Sequence, residues 1–161
     1  MIRLIIISIL MIYVQYFVSP HLGIWETVPN LLLPVIMYFS VTRSTVTGLV
    51  LAFILGLILD LNSPANFGFS PFLFVIIAYI LSELKTKINM EQKIFVALTL
   101  FLSHLFYFFF YNLFPLFSAG NFGLPFSKIL FLTLYNSCYS AVAILIISLL
   151  DRMEVRVKKA G

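Results

Sequence analysis

Charge is what this sequence has least of. Of its 161 residues, ten are Lys or Arg and six are Asp or Glu, 10% in all. A soluble domain carries about 25% charged residues. With 62% hydrophobic residues and a mean hydropathy of +1.11, the chain cannot cover a water-exposed surface, so the solvent it suits is a bilayer. The net charge of +4 is no nucleic-acid signal, because the basic residues sit at the ends of apolar runs and form no stripe.

Cysteine is almost absent. Cys138 stands alone, which excludes an intrachain disulfide, and its apolar neighbours predict a small core residue. Catalytic signatures are missing as well: there is no G-x-S-x-G, P-loop or H-E-x-x-H. His21, His104 and Cys138 lack the spacing of metal ligands. An intramembrane aspartyl protease needs two acids able to share a proton, and Asp60 is the one fair candidate. No catalytic, cofactor or metal site is expected, and the reading is non-enzymatic.

What the chain does have is long apolar runs. A spanning helix needs roughly 20 mostly apolar residues. Six runs fit: Ile2 to Ser19, Ile24 to Val41, Ser44 to Leu61, Ser70 to Leu84, Lys93 to Phe114 and Ser127 to Leu150. They do not alternate as barrel strands would. The first has no A-x-A-like site after it and is read as a retained helix. Short links make neighbouring helices antiparallel and leave no room for a soluble domain. The expected organisation is one six-helix transmembrane domain over residues 1–151 with a short basic tail over 152–161.

Basic residues set the direction. Arg3, Arg43, Lys85, Lys87, Lys93, Arg152, Arg156, Lys158 and Lys159 all fall at the N-terminus, in the even-numbered links or in the tail, and only Lys128 falls opposite. The positive-inside rule then makes both termini cytoplasmic.

Within the third run, "VTGLVLAFILGLILDLNSPANFG", fourteen uncharged residues from Val46 lead into Asp60. Gly48, Ala52, Gly56 and Asp60 recur every four residues, and small residues at that spacing let helix backbones approach closely in lipid. At about 1.5 Å per residue, Arg43 to Asp60 covers roughly 25 Å, placing the acid near the outer boundary. Two readings stay open: Asp60 bonds the following turn or a neighbouring helix end, or it contacts a partner or ligand.

In the second run, Glu26, Pro29, Asn30 and Pro34 lie toward the same side, and the two prolines predict a kink or break. His104 is expected to be a hydrogen-bonded packing residue, with Tyr107 and Tyr111 as packing and interfacial aromatics. Ser70-Pro71 reads as an N-cap and a proline at the first helical position. Phe67, Phe69, Phe117 and Phe122 in the outer links offer an apolar docking surface.

"VPNLLLPVIMYFSV" followed by "TGLVLAFILGLILDLNSPANFGFSPFLFVIIAYIL" resembles the MreD family of bacterial rod shape-determining membrane proteins, through Pro29-Asn30, Gly48, Gly56, Asp60, Gly68 and Ala78-Tyr79. The resemblance implies an inner-membrane scaffold of the cell-elongation machinery. Its partners would be MreC directly, and MreB, RodA and the elongation transpeptidase directly or through others, coupling filaments to peptidoglycan synthesis. A homodimer is left open. It also implies a fold similar to the substrate-binding components of energy-coupling-factor transporters, so the alternative is a vitamin-binding transporter component. The first helix, "IRLIIISILMIYVQYFVS", lacks the Ala-rich motif of such components, the first alanine being Ala52. That favours the scaffold. Its site residues would be Asp60, Gly56, Ala52, Gly48, Pro29, Asn30, Glu26 and Gly68.

Overall fold

A computed structural model describes residues 2–24, 28–61, 67–87, 93–119 and 124–157. Glu26, Phe122 and the end of the tail, residues 158–161, lie outside them. The described chain folds into six α-helices: α1 (Ile2–Phe17), α2 (Leu32–Thr42), α3 (Thr45–Asp60), α4 (Phe69–Lys87), α5 (Lys93–Ala119) and α6 (Phe126–Val157). A short 3₁₀ turn, Ser19–Leu22, follows α1.

The helix α2 forms the axis of the fold. It packs against α1, α3, α4 and α6, while α3 lies along α4 and α5 along α6. Leu32, Leu33, Val35, Ile36 and Phe39 of α2 are completely buried. The other five helices keep an apolar outer face, seen in Ile5, Ile9, Val50, Phe53, Phe72, Ile80, Leu98, Leu102, Leu134 and Leu145, all exposed. Polar side chains go inside: Gln15, Asn30, Asp60, His104, Asn112, Thr133, Asn136 and Ser140 are buried. Several close hydrogen bonds on their own helix, as Asn112 does to Phe108 O and Thr133 to Ile129 O, both at 2.8 Å.

Several boundaries differ from the expected ones. Among the described residues, two stretches are long and apolar enough to cross a membrane, Val96–Leu113 and Phe126–Asp151. The first three helices are shorter, and α2 deviates most: it has 11 residues and begins at Leu32, where a span from Ile24 was expected. The cause is local. Pro29 offers no amide, and Asn30 Oδ1 accepts from the Leu32 and Leu33 amides, both at 3.2 Å, which fixes the helix start there. Pro34 causes no break, because it falls in the first turn, where its missing donor costs nothing. At the other end of the chain, α6 continues past Leu150 to Val157, and α5 continues to Ala119, which puts Phe117 in the helix.

Two smaller expectations are also corrected. Cys138 is exposed on the apolar outside of α6 rather than in the core. Helix α4 begins at Phe69, one residue before the expected cap, and the Ser70 hydroxyl turns to Tyr107 Oη, 3.3 Å away.

Candidate functional site

The small-residue stripe of α3 lies at two helix contacts. A Cβ on Gly48 would sit 3.0 Å from both Cα and Oγ of Ser40 on α2. A Cβ on Gly56 would sit 2.3 Å from Cα and 2.5 Å from N of Pro71 on α4, which no side chain tolerates. Ala52, between them, is fully buried. The stripe therefore brings α3 against α4 closely enough for the last residue of α3 to reach the first turn of α4.

That last residue is Asp60, 1% exposed. Its Oδ2 accepts from the amide of Gly68 at 2.7 Å and of Ser70 at 3.2 Å. A carboxylate at these orphan donors caps α4 from a different helix and meets the positive end of its dipole. Gly68 holds its amide in place at φ +92°, a left-handed conformation that costs glycine little. Among the described residues, Asp60 Oδ1 has no hydrogen-bond partner.

The non-helical segment before α2 is held by side chains from two other helices. Gln15 of α1 donates through Nε2 to Pro29 O at 3.1 Å and accepts at Oε1 from the Leu31 amide at 2.6 Å. Asn136 of α6 accepts from the Asn30 amide at 2.8 Å, its own Nδ2 donating to Leu132 O at 2.9 Å. The Pro29 carbonyl and the Asn30 and Leu31 amides are thus bonded by protein, as irregular backbone away from water requires.

Between these two constructions lies a cavity of about 410 Å³. Asp60, Asn30, Gln15 and Ser70 line it together with Tyr16, Tyr107, Phe108, Tyr111, Asn112 and Leu124. The Tyr16 hydroxyl donates to Ile58 O, tying α1 to the end of α3. Tyr107 and Tyr111 stack at 5.5 Å between centroids, and the buried Tyr107 packs on Phe74 at 5.3 Å. These tyrosines, expected as packing and belt aromatics, form part of a polar lining.

The remaining sequence candidates are placed as follows. Pro29, Asn30 and Asp60 meet at the cavity end; Pro29 is buried and contributes its carbonyl. Phe67 is exposed, but Phe69 is only half-buried and its ring tilts against Tyr111 at 6.3 Å, so it is not a free docking residue. His104 is fully buried and bonded at both nitrogens, to Leu100 O at 2.9 Å and Ser140 Oγ at 3.0 Å, the packing role expected of it. Sequence reasoning missed Gln15, Tyr16 and Asn136. The signal for the first and last was available: each is an uncharged amide within an apolar helix, where a polar group needs a bonded partner.

At the opposite end of the bundle, Arg43 Nη2 pairs with Asp151 Oδ1 at 2.9 Å, and Tyr38 Oη donates to Asp151 Oδ2 at 3.0 Å. Lys85 Nζ donates to Arg43 O at 2.7 Å and Ser40 O at 3.2 Å, capping the last carbonyls of α2. Arg43 and Lys85, two of the residues that set the expected direction, thus share the end remote from Asp60.

Comparison with known proteins adds one match. No curated protein and no solved structure matches the chain. The family model of the rod shape-determining protein MreD matches residues 1–153. All six helices fall within or begin inside that range, as do the α3 stripe, Asp60 and the Pro29-Asn30 break. The chain belongs to the MreD family of rod shape-determining membrane proteins.

Proposed function

We propose that the protein is a non-enzymatic, six-span scaffold of the inner membrane, with both termini cytoplasmic, that binds MreC and helps couple MreB filaments to peptidoglycan synthesis by RodA and its transpeptidase. The observation that carries this reading is the inside-out side-chain distribution in a member of a shape-determining family. Exposed Ile, Leu, Val and Phe on five helices need lipid or a partner helix to cover them, and the buried amides and hydroxyls need the protein interior. The shorter helices are compatible with spanning because the segments at their ends are bonded internally, as at Pro29 to Leu31.

In this role the protein works by positioning. The α3 stripe and the Asp60 cap fix α3 and α4 as one rigid pair, so the outer faces of the bundle present a constant surface to a partner. Purification from the native membrane in mild detergent tests the proposal. MreC should copurify, and a Gly56→Leu variant that still reaches the membrane should lose it. Copurification of an ATPase module and a tightly held vitamin, without MreC, would instead identify a transporter component.

A further inference from the structure

The end of the bundle remote from Asp60 carries two apolar clefts that the scaffold role leaves unassigned. One, of about 210 Å³, is bounded by α2, α5 and α6 and lined by Met37, Tyr38, Thr42, Val96 and Ile144. The other, of about 180 Å³, runs between α4 and α5 and is lined by Ile77, Leu84, Leu102 and Phe106. Leu81 and Thr99 line both, so the clefts flank a common wall. From Ile77 to Leu84 the second follows α4 for about 10 Å, and exposed Ile80 and Leu102 on its rim open it sideways.

A pair of cations stands beside both clefts. Thr42, in the wall of the first, precedes Arg43; Leu84, in the wall of the second, precedes Lys85, whose Nζ donates to Arg43 O at 2.7 Å. The two cations are not equivalent. Arg43 is paired with Asp151, whereas Lys85 bonds the carbonyls of Arg43 and Ser40 and, among the described residues, no carboxylate. Carbonyls satisfy its donors without cancelling its charge, and the side chain is half-buried. An anion is complementary to it.

An occupant that suits apolar clefts beside one uncompensated positive charge is apolar along its length and carries a single negative charge at its end. A helix, about 10–12 Å across with its side chains, is too wide for clefts of this size between helices that already pack together. Two acyl chains fit on either side of the Leu81 and Thr99 wall. We propose that an anionic phospholipid of the cytoplasmic leaflet binds here, its chains in the two clefts and its phosphate on Lys85 Nζ beside the Arg43 guanidinium. Basic pockets between spanning helices hold anionic headgroups on this side of a membrane. The inference rests on the proposed function only in that the helices cross a bilayer with the Arg43 end cytoplasmic.

The test uses the full chain in nanodiscs of equimolar phosphatidylglycerol and phosphatidylethanolamine with identical chains, the lipids retained after release being counted by native mass spectrometry. The most tightly held lipid should be phosphatidylglycerol, at least fivefold over phosphatidylethanolamine. Glycerophosphoglycerol, the same headgroup without chains, should not displace it at about a hundredfold excess. Lys85→Gln keeps a donor for the α2 carbonyls and removes the charge, so the preference should fall below twofold; a folded variant with its preference unchanged would overturn the inference. Equal retention of the two lipids by the unmodified protein, or displacement by the bare headgroup, would overturn it whether or not the variant folds. A photo-crosslinker at Leu102 in native membranes reports the occupant directly. Adducts to phospholipid are expected, and adducts to another polypeptide or to a second copy, without lipid, would give the clefts to that occupant and end the proposal. None of these results bears on copurification with MreC.

Discussion

The two ends of the bundle solve the same problem with different chemistry. At the Arg43 end, the polar groups are charged and partly exposed: the Arg43 side chain is 40% accessible and that of Asp151 15%. Chain ends there are satisfied by long cations, Lys85 reaching the last carbonyls of α2. At the Asp60 end the groups are buried, and neutral amides take over, Gln15 and Asn136 holding a stretch of backbone that is not helical at all. Charged side chains suffice where water is near, whereas the buried backbone at the Asp60 end is held by acceptors and donors reaching in from neighbouring helices. The cavity end is therefore the part where single substitutions should cost most, and the charged end the part that tolerates them.

The largest effect is expected at the helix contact beneath the cavity. Gly56→Leu pushes a side chain into the Pro71 backbone, which has no rotamer to give way, so the loss should exceed the roughly 1–3 kcal/mol typical of overpacking. It should show as a collapsed monodisperse peak in detergent and a steep drop in melting temperature. Gly48→Ala, against the tight but smaller Ser40 contact, should cost about 1 kcal/mol or less in the same assay.

Next comes the amide clamp. Gln15→Leu keeps the size and removes both bonds to the segment before α2, leaving Pro29 O and the Leu31 amide buried without partners. At roughly 1–3 kcal/mol per orphaned group, the loss should be about 2–6 kcal/mol, read as earlier unfolding on heating. Asn136→Leu orphans one such group, the Asn30 amide, and should cost about half as much.

The smallest effect belongs to the charged end. Arg43→Ala removes a partly exposed ion pair and should change stability by no more than about 1 kcal/mol, a difference that shrinks further in high salt. A loss there as large as that of Gln15→Leu would mean that the two ends do not differ as described.

Much of this contrast was legible in the sequence. The spacing of Gly48, Ala52, Gly56 and Asp60 is a local pattern, and a period of four on a helix has one geometric meaning. Pro29 announced a break. The partners of that break were not legible, because Gln15 and Asn136 are 14 and 106 residues away from the atoms they bond, and no local periodicity encodes which helices meet. Asp60 was read as either structural or available for contact; one of its oxygens is bonded to the turn and the start of α4, and the other has no partner among the described residues. The helix ends were misjudged for the same reason as the clamp. The expected span ran from Ile24, but in the described residues Val28 to Leu31 tertiary hydrogen bonds, not hydropathy, decided that the chain is not helical.

The claim on which the rest depends is that these helices sit in a bilayer with the Asp60 end outside. In a Cys138→Ser background, a single cysteine at exposed Phe67, beside the turn that Asp60 holds, should react with a membrane-impermeant maleimide on intact spheroplasts. A single cysteine at exposed Thr42, at the Arg43 end, should react only after lysis. Labelling of the Thr42 position from outside, with the Phe67 position protected until lysis, would contradict the account.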